Sequence, residues 1–293
     1  DGYNTLIRGE IQAPNFLNAE SRIEQDTDGN PIEQGDKAVP FLLTIPHTVA
    51  EARPVFVYGH GFFSHMDEPT WSSLNNSLHT WNMSALSTNF IGFTEDDIVQ
   101  AAQGMGGDVL VLQSIIDQQL QAQANFTALG RLAQEQLQTT VTNDDGAPLL
   151  DAETLNYMGI SNGGTQGAVI STFSPVYDRA TLIVGGGGWS HMMQRATQWN
   201  TLGLVLQSRY PNSYDMQLTI SLLQQVLDPV DSMNYVEYLV DNRLSGREQA
   251  LRVTMHEAVA DCQVSNLTTE WVARTAGVPL LTPTPREVWG LDT

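Results

Sequence analysis

The sequence predicts an α/β fold, with a mostly parallel central sheet covered by helices on both faces. Short β-rich apolar runs alternate along the chain with runs of helical periodicity. Several strand candidates stop at glycine-rich turns, at Gly59-His60-Gly61, Gly159 to Gly163 and Gly185 to Gly188. Hydrophobic residues make up 41% of 293 residues, enough for one substantial core.

The elements follow in order. Thr5–Gln12 and Ala38–Pro46 read as strands. Between them Asp26-Thr27-Asp28-Gly29-Asn30-Pro31 offers oxygens at calcium-loop spacing. An EF-hand loop, however, needs Gly at its sixth position and Glu at its twelfth, which here are Pro31 and Lys37, so a turn is the simpler reading. Pro54–Tyr58 is a buried-type strand, helix-forming residues occupy 70–86, and Asn89–Phe93 is a further short apolar run. The acidic Glu95-Asp96-Asp97 that follows reads as a solvated loop with a helix cap. Val109, Leu112, Ile116 and Leu120, then Leu129, Leu132 and Leu137, trace an amphipathic helix over 107–138, with a break expected near Asn125. Leu155–Gly159 is a strand, Gly163–Thr172 a helix, Thr181–Val184 a strand, and 189–245 a set of helices and loops rich in Trp, Tyr and Met. Leu251–Met255 is a further strand, and Val264–Ala276 a helix closed by Gly277.

Composition excludes several classes. The net charge is −20, and Lys37 is the single lysine among 13 bases. Nucleic-acid binding requires phosphate neutralisation by Lys and Arg, so this balance argues against it, and against docking on anionic lipid. No apolar run is long enough to span a bilayer. Cys262 is the one cysteine, which excludes an internal disulfide framework and a cysteine-based zinc site. An acidic, lysine-poor chain that starts at Asp1 is expected to be a mature protein from an extracellular or periplasmic setting.

The strongest chemical signal is Gly159-Ile160-Ser161-Asn162-Gly163, a G-x-S-x-G sequence between a strand and a helix. A strained strand-to-helix turn thrusts the serine side chain outward. Gly159 and Gly163 remove Cβ atoms that would clash, and the helix N-terminus beneath favours developing negative charge. The blander reading is a glycine-rich turn with an incidental serine. A second signal, Tyr58-Gly59-His60-Gly61-Phe62-Phe63, follows a strand directly. There a small-residue loop can turn a backbone N–H toward a reacting carbonyl, and the N–H groups of Phe62 and Asn162 would make a two-donor oxyanion hole. Taken alone, His60 reads as a satisfied loop histidine or a metal ligand.

These two motifs, in their order and separation, resemble the α/β-hydrolase superfamily in its serine esterase and lipase branch, over roughly residues 38–280. His60-Gly61-Phe62 resembles that family's oxyanion segment, which implies that His60 holds the loop, and Gly159 to Gly163 resembles its nucleophile elbow. The stretch from Leu251 through Asp261-Cys262-Gln263-Val264 is similar to the strand and loop that present the triad acid. The resemblance implies Ser161 as nucleophile and Asp261 as acid, with Glu257 as the alternative. It implies one domain over 1–293, a helical cap inserted at 187–248, a small-molecule or lipid ester as substrate, and no cofactor or metal. Trp189, Met192, Met193, Trp199 and Tyr210 suit an apolar acyl pocket and suit ordinary helix packing equally.

The chain departs from the family pattern at the histidine, expected after the acid on a loop following the last strand. No histidine lies beyond His256. Three accounts stay open. The last strand and its histidine belong to residues after Thr293; an in-chain histidine, His191 before His256, takes its place; or the chain is a non-catalytic binding module on the same fold. An amidase or peptidase on this machinery is a further alternative.

Overall fold

The computed structural model describes residues 4–46 and 51–292. Among the described residues seven strands form one sheet in the order β1-β2-β4-β3-β5-β6-β7. β1 (Asn4–Pro14) and β2 (Asp36–Pro46) pair antiparallel from Asn4↔Pro46 to Pro14↔Asp36. β1 lies at an edge, where its closing proline removes no ladder hydrogen bond. β2 also runs antiparallel to β4 (Ser84–Ser87), and from there β3 (Arg53–Gly59), β5 (Leu150–Ile160), β6 (Arg179–Ile183) and β7 (Arg252–His256) continue in parallel.

Alternation along β3 places the two cores. Val55 and Val57 face Phe126, Leu129, Leu155 and Tyr157, while Phe56 and Tyr58 face Leu74 and Leu78 on the other side. Leu74 and Leu78 belong to α1 (Ser72–Trp81), and Phe126 and Leu129 to α3 (Val109–Leu132), which follows α2 (Ile98–Met105). Each of these side chains, wholly or almost wholly buried, contributes about 1.5–3 kcal/mol through the area it removes from water. Longer helices further along are α4 (Asn162–Phe173), α5 (Trp189–Arg195), α6 (Trp199–Arg209), α7 (Ser213–Leu227) and α8 (Asn266–Ala276).

Three local expectations are corrected. The helix expected over 70–86 stops at Trp81, because Asn82 takes the left-handed conformation (φ 58°), and Ser84–Ser87 is instead drawn into the sheet as β4, fully buried. The apolar run Asn89–Phe93 is no strand. It turns back through Gly92 (φ +91°) and delivers Phe90 and Phe93 to the core. α3 does not break at Asn125, whose buried Oδ1 accepts from Gln121 Nε2 at 2.9 Å, one helical turn earlier. The helix runs on through a π turn at Ala133–Leu137.

Two local readings, the turn at Asp26 and the cap ahead of α2, match. Asp26 Oδ1 accepts from the N–H groups of Asp28 and Asn30 at 2.9 and 2.8 Å, which makes the segment a turn. No group of residues suited to hold a metal ion occurs among the described residues. Thr94 and Asp97 form a capping box ahead of α2, with Thr94 N–H donating to Asp97 Oδ2 at 2.8 Å. No helix among the described residues is long and apolar enough to cross a membrane.

Candidate active site

The G-x-S-x-G segment joins β5 to α4. Ser161 sits between them with φ 57° and ψ −114°, a conformation costly for a residue with a Cβ. Its N–H donates to Ile183 O at 2.9 Å and its carbonyl accepts from Thr165 N–H at 3.0 Å, so strand and helix both grip the turn. The flanking glycines are dictated by contact. A Cβ on Gly159 would lie 2.1 Å from Gly163 O, and one on Gly163 would lie 2.0 Å from Gly59 O. The half-buried Ser161 side chain makes no hydrogen bond among the described residues.

The loop after β3 approaches the same point: a Cβ on Gly61 would lie 3.9 Å from Ser161 Cβ. The N–H of Phe62 on this loop and that of Asn162, first residue of α4, donate to no protein acceptor among the described residues. His60 is fully buried. Its Nδ1–H donates to Gly61 O at 2.7 Å, and its Nε2 accepts from Phe90 N–H at 2.8 Å. Desolvation lowers its pKa, the neutral ring satisfies both bonds, and it ties the loop to the Asn89–Phe93 turn.

A cavity of about 70 Å³ opens beside Ser161, lined by Phe62, Trp189, Met192 and Val264, with Gln198 and Gln263 among its polar members. Of the five residues offered for an apolar pocket, Trp189 and Met192 are there. Trp199 and Tyr210 pack instead against Leu206, Ile220 and Leu223, where α6 and α7 meet, and Met193 bridges that cluster and the main core. Spacing along a helix does not reveal which side faces the cavity. A larger cavity, about 390 Å³, runs along β7 and does not touch Ser161.

The other candidates are placed as follows. Asp261 lies half-buried on the loop after β7, where its Oδ1 accepts from the N–H groups of Gln263 and Val264 at 2.8 and 3.0 Å. Its Oδ2 has no partner among the described residues. Glu257 is engaged elsewhere, with Arg286 Nη2 at 2.6 Å and Asn266 Nδ2 at 3.1 Å. Neither His191 nor His256 hydrogen-bonds to Ser161 among the described residues. His191 is exposed on α5 and lies edge-on to Trp271 at 5.1 Å. His256 is exposed at the end of β7, and its carbonyl accepts from Val184 N–H at 2.8 Å. The strand expected after Thr293 lies outside the described residues.

Two residues at the site escaped the sequence reading. Glu68 accepts from Gly61 N–H at 3.1 Å and from the Tyr58 hydroxyl at 2.5 Å. Burial, and then the Glu68 charge, push the Tyr58 phenol up and keep it protonated. Asp231 is fully buried and accepts from the N–H groups of Gly188, Trp189 and Met233 and from Gln224 Nε2, at 2.8–3.0 Å. It thereby anchors the start of α5 and the Trp189 wall. No motif surrounds either residue, and only the folded chain brings their partners together.

No family model matches the chain, and no curated protein does. Solved structures are similar in fold. Pyrococcus horikoshii acylaminoacyl peptidase superposes with a TM-score of 0.50 at 13% identity, over 93% of this chain and 35% of that one. Prolyl oligopeptidase B from Galerina marginata gives 0.47 at 12%, over 92% and 31%. Acetyl xylan esterase from Paenibacillus sp. R4 gives 0.45 at 11%, over 86% and 82%. The chain thus spans about a third of the length of the two peptidases. The mostly parallel seven-stranded sheet with helices on both faces is an α/β-hydrolase fold.

Proposed function

We propose that the chain is a serine hydrolase that cleaves carboxylic esters through an acyl-enzyme. The observation that carries this reading is Ser161 held at φ 57° between β5 and α4, beside two unengaged backbone N–H groups, Phe62 and Asn162. Ser161 Oγ attacks the ester carbonyl and its proton passes to a base. The oxyanion is held by the two N–H groups. The C–O bond to the alcohol then breaks, the base returns the proton to the leaving oxygen, and water repeats the sequence to release the acid. The apolar walls of Phe62, Trp189 and Met192 receive the acyl group, and residues 187–248 act as a cap over it.

The base in this proposal is a histidine oriented by the free Oδ2 of Asp261. It is neither His191 nor His256. The edge of β7 supports its delivery by an added strand. Arg252 N–H donates to Asp178 O and His256 O accepts from Val184 N–H, so both residues address β6. Alternation turns the N–H and C=O groups of Val253 and Met255 the other way, where no strand pairs with them among the described residues. A segment pairing there ends beside the Asp261 loop.

The test is labelling of the full-length protein by a fluorophosphonate, with hydrolysis of short p-nitrophenyl esters in parallel. Ser161→Ala is expected to abolish both in a folded protein. Labelling that survives Ser161→Ala overturns the proposal, and labelling without ester turnover moves it to amide substrates.

A further inference from the structure

We propose that Glu68 is a positioning residue for the oxyanion hole. Its carboxylate holds the N–H of Gly61, on the His60–Gly61 peptide, and so steadies the next peptide, whose Gly61 O accepts from His60 Nδ1 at 2.7 Å and whose Phe62 N–H keeps facing the carbonyl attacked by Ser161. The inference rests on the reading of Ser161 given above.

The carrying observation is a pattern of three successive N–H groups. Gly61 N–H donates to Glu68 Oε1 at 3.1 Å, and Phe63 N–H donates to Phe93 O at 2.8 Å. Phe62 N–H, between them, donates to nothing in the protein among the described residues. A loop pinned on both sides of one free donor is an anion-facing arrangement with fixed direction. The loop needs such pins, because Gly61 contributes no side chain and Phe63 takes a left-handed φ of 56°. Glu68 and Ser161 flank the same glycine: a Cβ on Gly61 would lie 3.4 Å from Glu68 Oε1 and 3.9 Å from Ser161 Cβ.

Glu68 is itself anchored. Its Oε2 accepts from the hydroxyl of Tyr58, a β3 residue 1% exposed and packed among Phe56, Leu74 and Leu78. Its backbone lies in a short turn, Glu68–Thr70, whose Thr70 N–H returns to Asp67 O at 2.9 Å. Asp67 pairs with Arg8 of β1 and with His65 Nδ1, the latter at 3.1 Å. The chain of support therefore runs from β1 and β3 through Glu68 to the free N–H. A carboxylate makes the stronger, charge-assisted bond to Gly61 N–H. A carboxamide of the same length retains the acceptor.

The experiment compares Glu68→Gln, Glu68→Ala and Glu68→Asp in the full-length protein, reading kcat and KM on a p-nitrophenyl ester and the rate of fluorophosphonate labelling. Glu68→Gln is expected to stay within about fivefold of the parent, since its Oε1 still accepts from Gly61. Glu68→Ala is expected to lose about 10–100-fold in kcat and in labelling rate, with KM within about threefold, because a misdirected donor harms the transition state and not the bound ester. Should Glu68→Ala fail to fold, Glu68→Asp decides: its shortened side chain keeps the charge but withdraws from Gly61, and a loss of about tenfold is expected. Labelling at the parent rate in folded Glu68→Ala or Glu68→Asp, or equal damage from Gln and Ala, overturns the inference alone. Absence of labelling in the parent protein overturns the Ser161 reading and this inference with it.

Discussion

Replacing Ser161 by glycine should stabilise the protein while removing the proposed nucleophile. Ser161 holds φ 57° and ψ −114°, a combination open to glycine and costly for any residue with a Cβ. Such strain is worth about 1–3 kcal/mol. Against this, glycine adds about 0.5–1 kcal/mol of backbone entropy to the unfolded chain. The balance favours glycine by about 0.5–2 kcal/mol. Because the serine side chain makes no hydrogen bond among the described residues, its loss contributes little, and Ser161→Ala serves as the reference. Both variants lack the hydroxyl, so their difference isolates the backbone. Urea midpoints at constant m-value, and a rise of about 1–4 °C in Tm for Ser161→Gly over Ser161→Ala, measure it. If Ser161→Gly is the less stable of the two, the strained turn is not what the folded chain contains.

Gly159→Ala places a Cβ 2.1 Å from Gly163 O, a backbone atom that cannot step aside, and should cost about 3 kcal/mol or more, seen as a large fall in Tm. His60 is buried with its pKa below the ordinary value of 6.5, so the unfolded state binds more protons as acid is added; stability conferred above about pH 6.5 should fall as pH drops through the folded-state pKa, and His60→Asn should flatten that dependence in urea titrations. Met192→Ala should alter the preference among p-nitrophenyl esters of different acyl length, whereas Trp199→Ala, which removes a side chain from the α6–α7 cluster, should lower Tm with equal effect on all esters; the reverse pattern would show that the pocket wall is wrongly placed. Asp231→Ala leaves the buried Trp189 N–H without its acceptor, at about 1–3 kcal/mol, and removes an acceptor from three part-buried donors as well, so a folded variant with unchanged Tm would contradict the anchoring of α5.

What the sequence determined by itself are features governed by neighbours in the chain. The alternation of β-rich and helical-period runs specified an α/β class. Gly159, Ser161 and Gly163 marked the strand-to-helix turn, because its steric demands fall within five residues. The cap at Thr94 to Asp97 and the turn at Asp26 to Asn30 were legible for the same reason: a short side chain bonds a backbone group three or four residues away. The tertiary structure decided what depends on distant partners. Ser84–Ser87 has little strand character alone and becomes β4 because β2 and β3 supply its ladder. Asn125 does not break α3, since the helix bonds and buries its amide. Trp189 and Met192 line the cavity while Trp199 and Tyr210 do not, a matter of helix rotation set by packing. Glu68 and Asp231 act on backbone groups up to 43 residues away in the chain, as from Gly188 N–H to Asp231 Oδ1, and no local pattern encodes a contact at that separation. His191 likewise lies edge-on to Trp271 and His256 lies exposed at the end of β7, neither hydrogen-bonded to Ser161 among the described residues, although their positions in the chain placed both near strand ends.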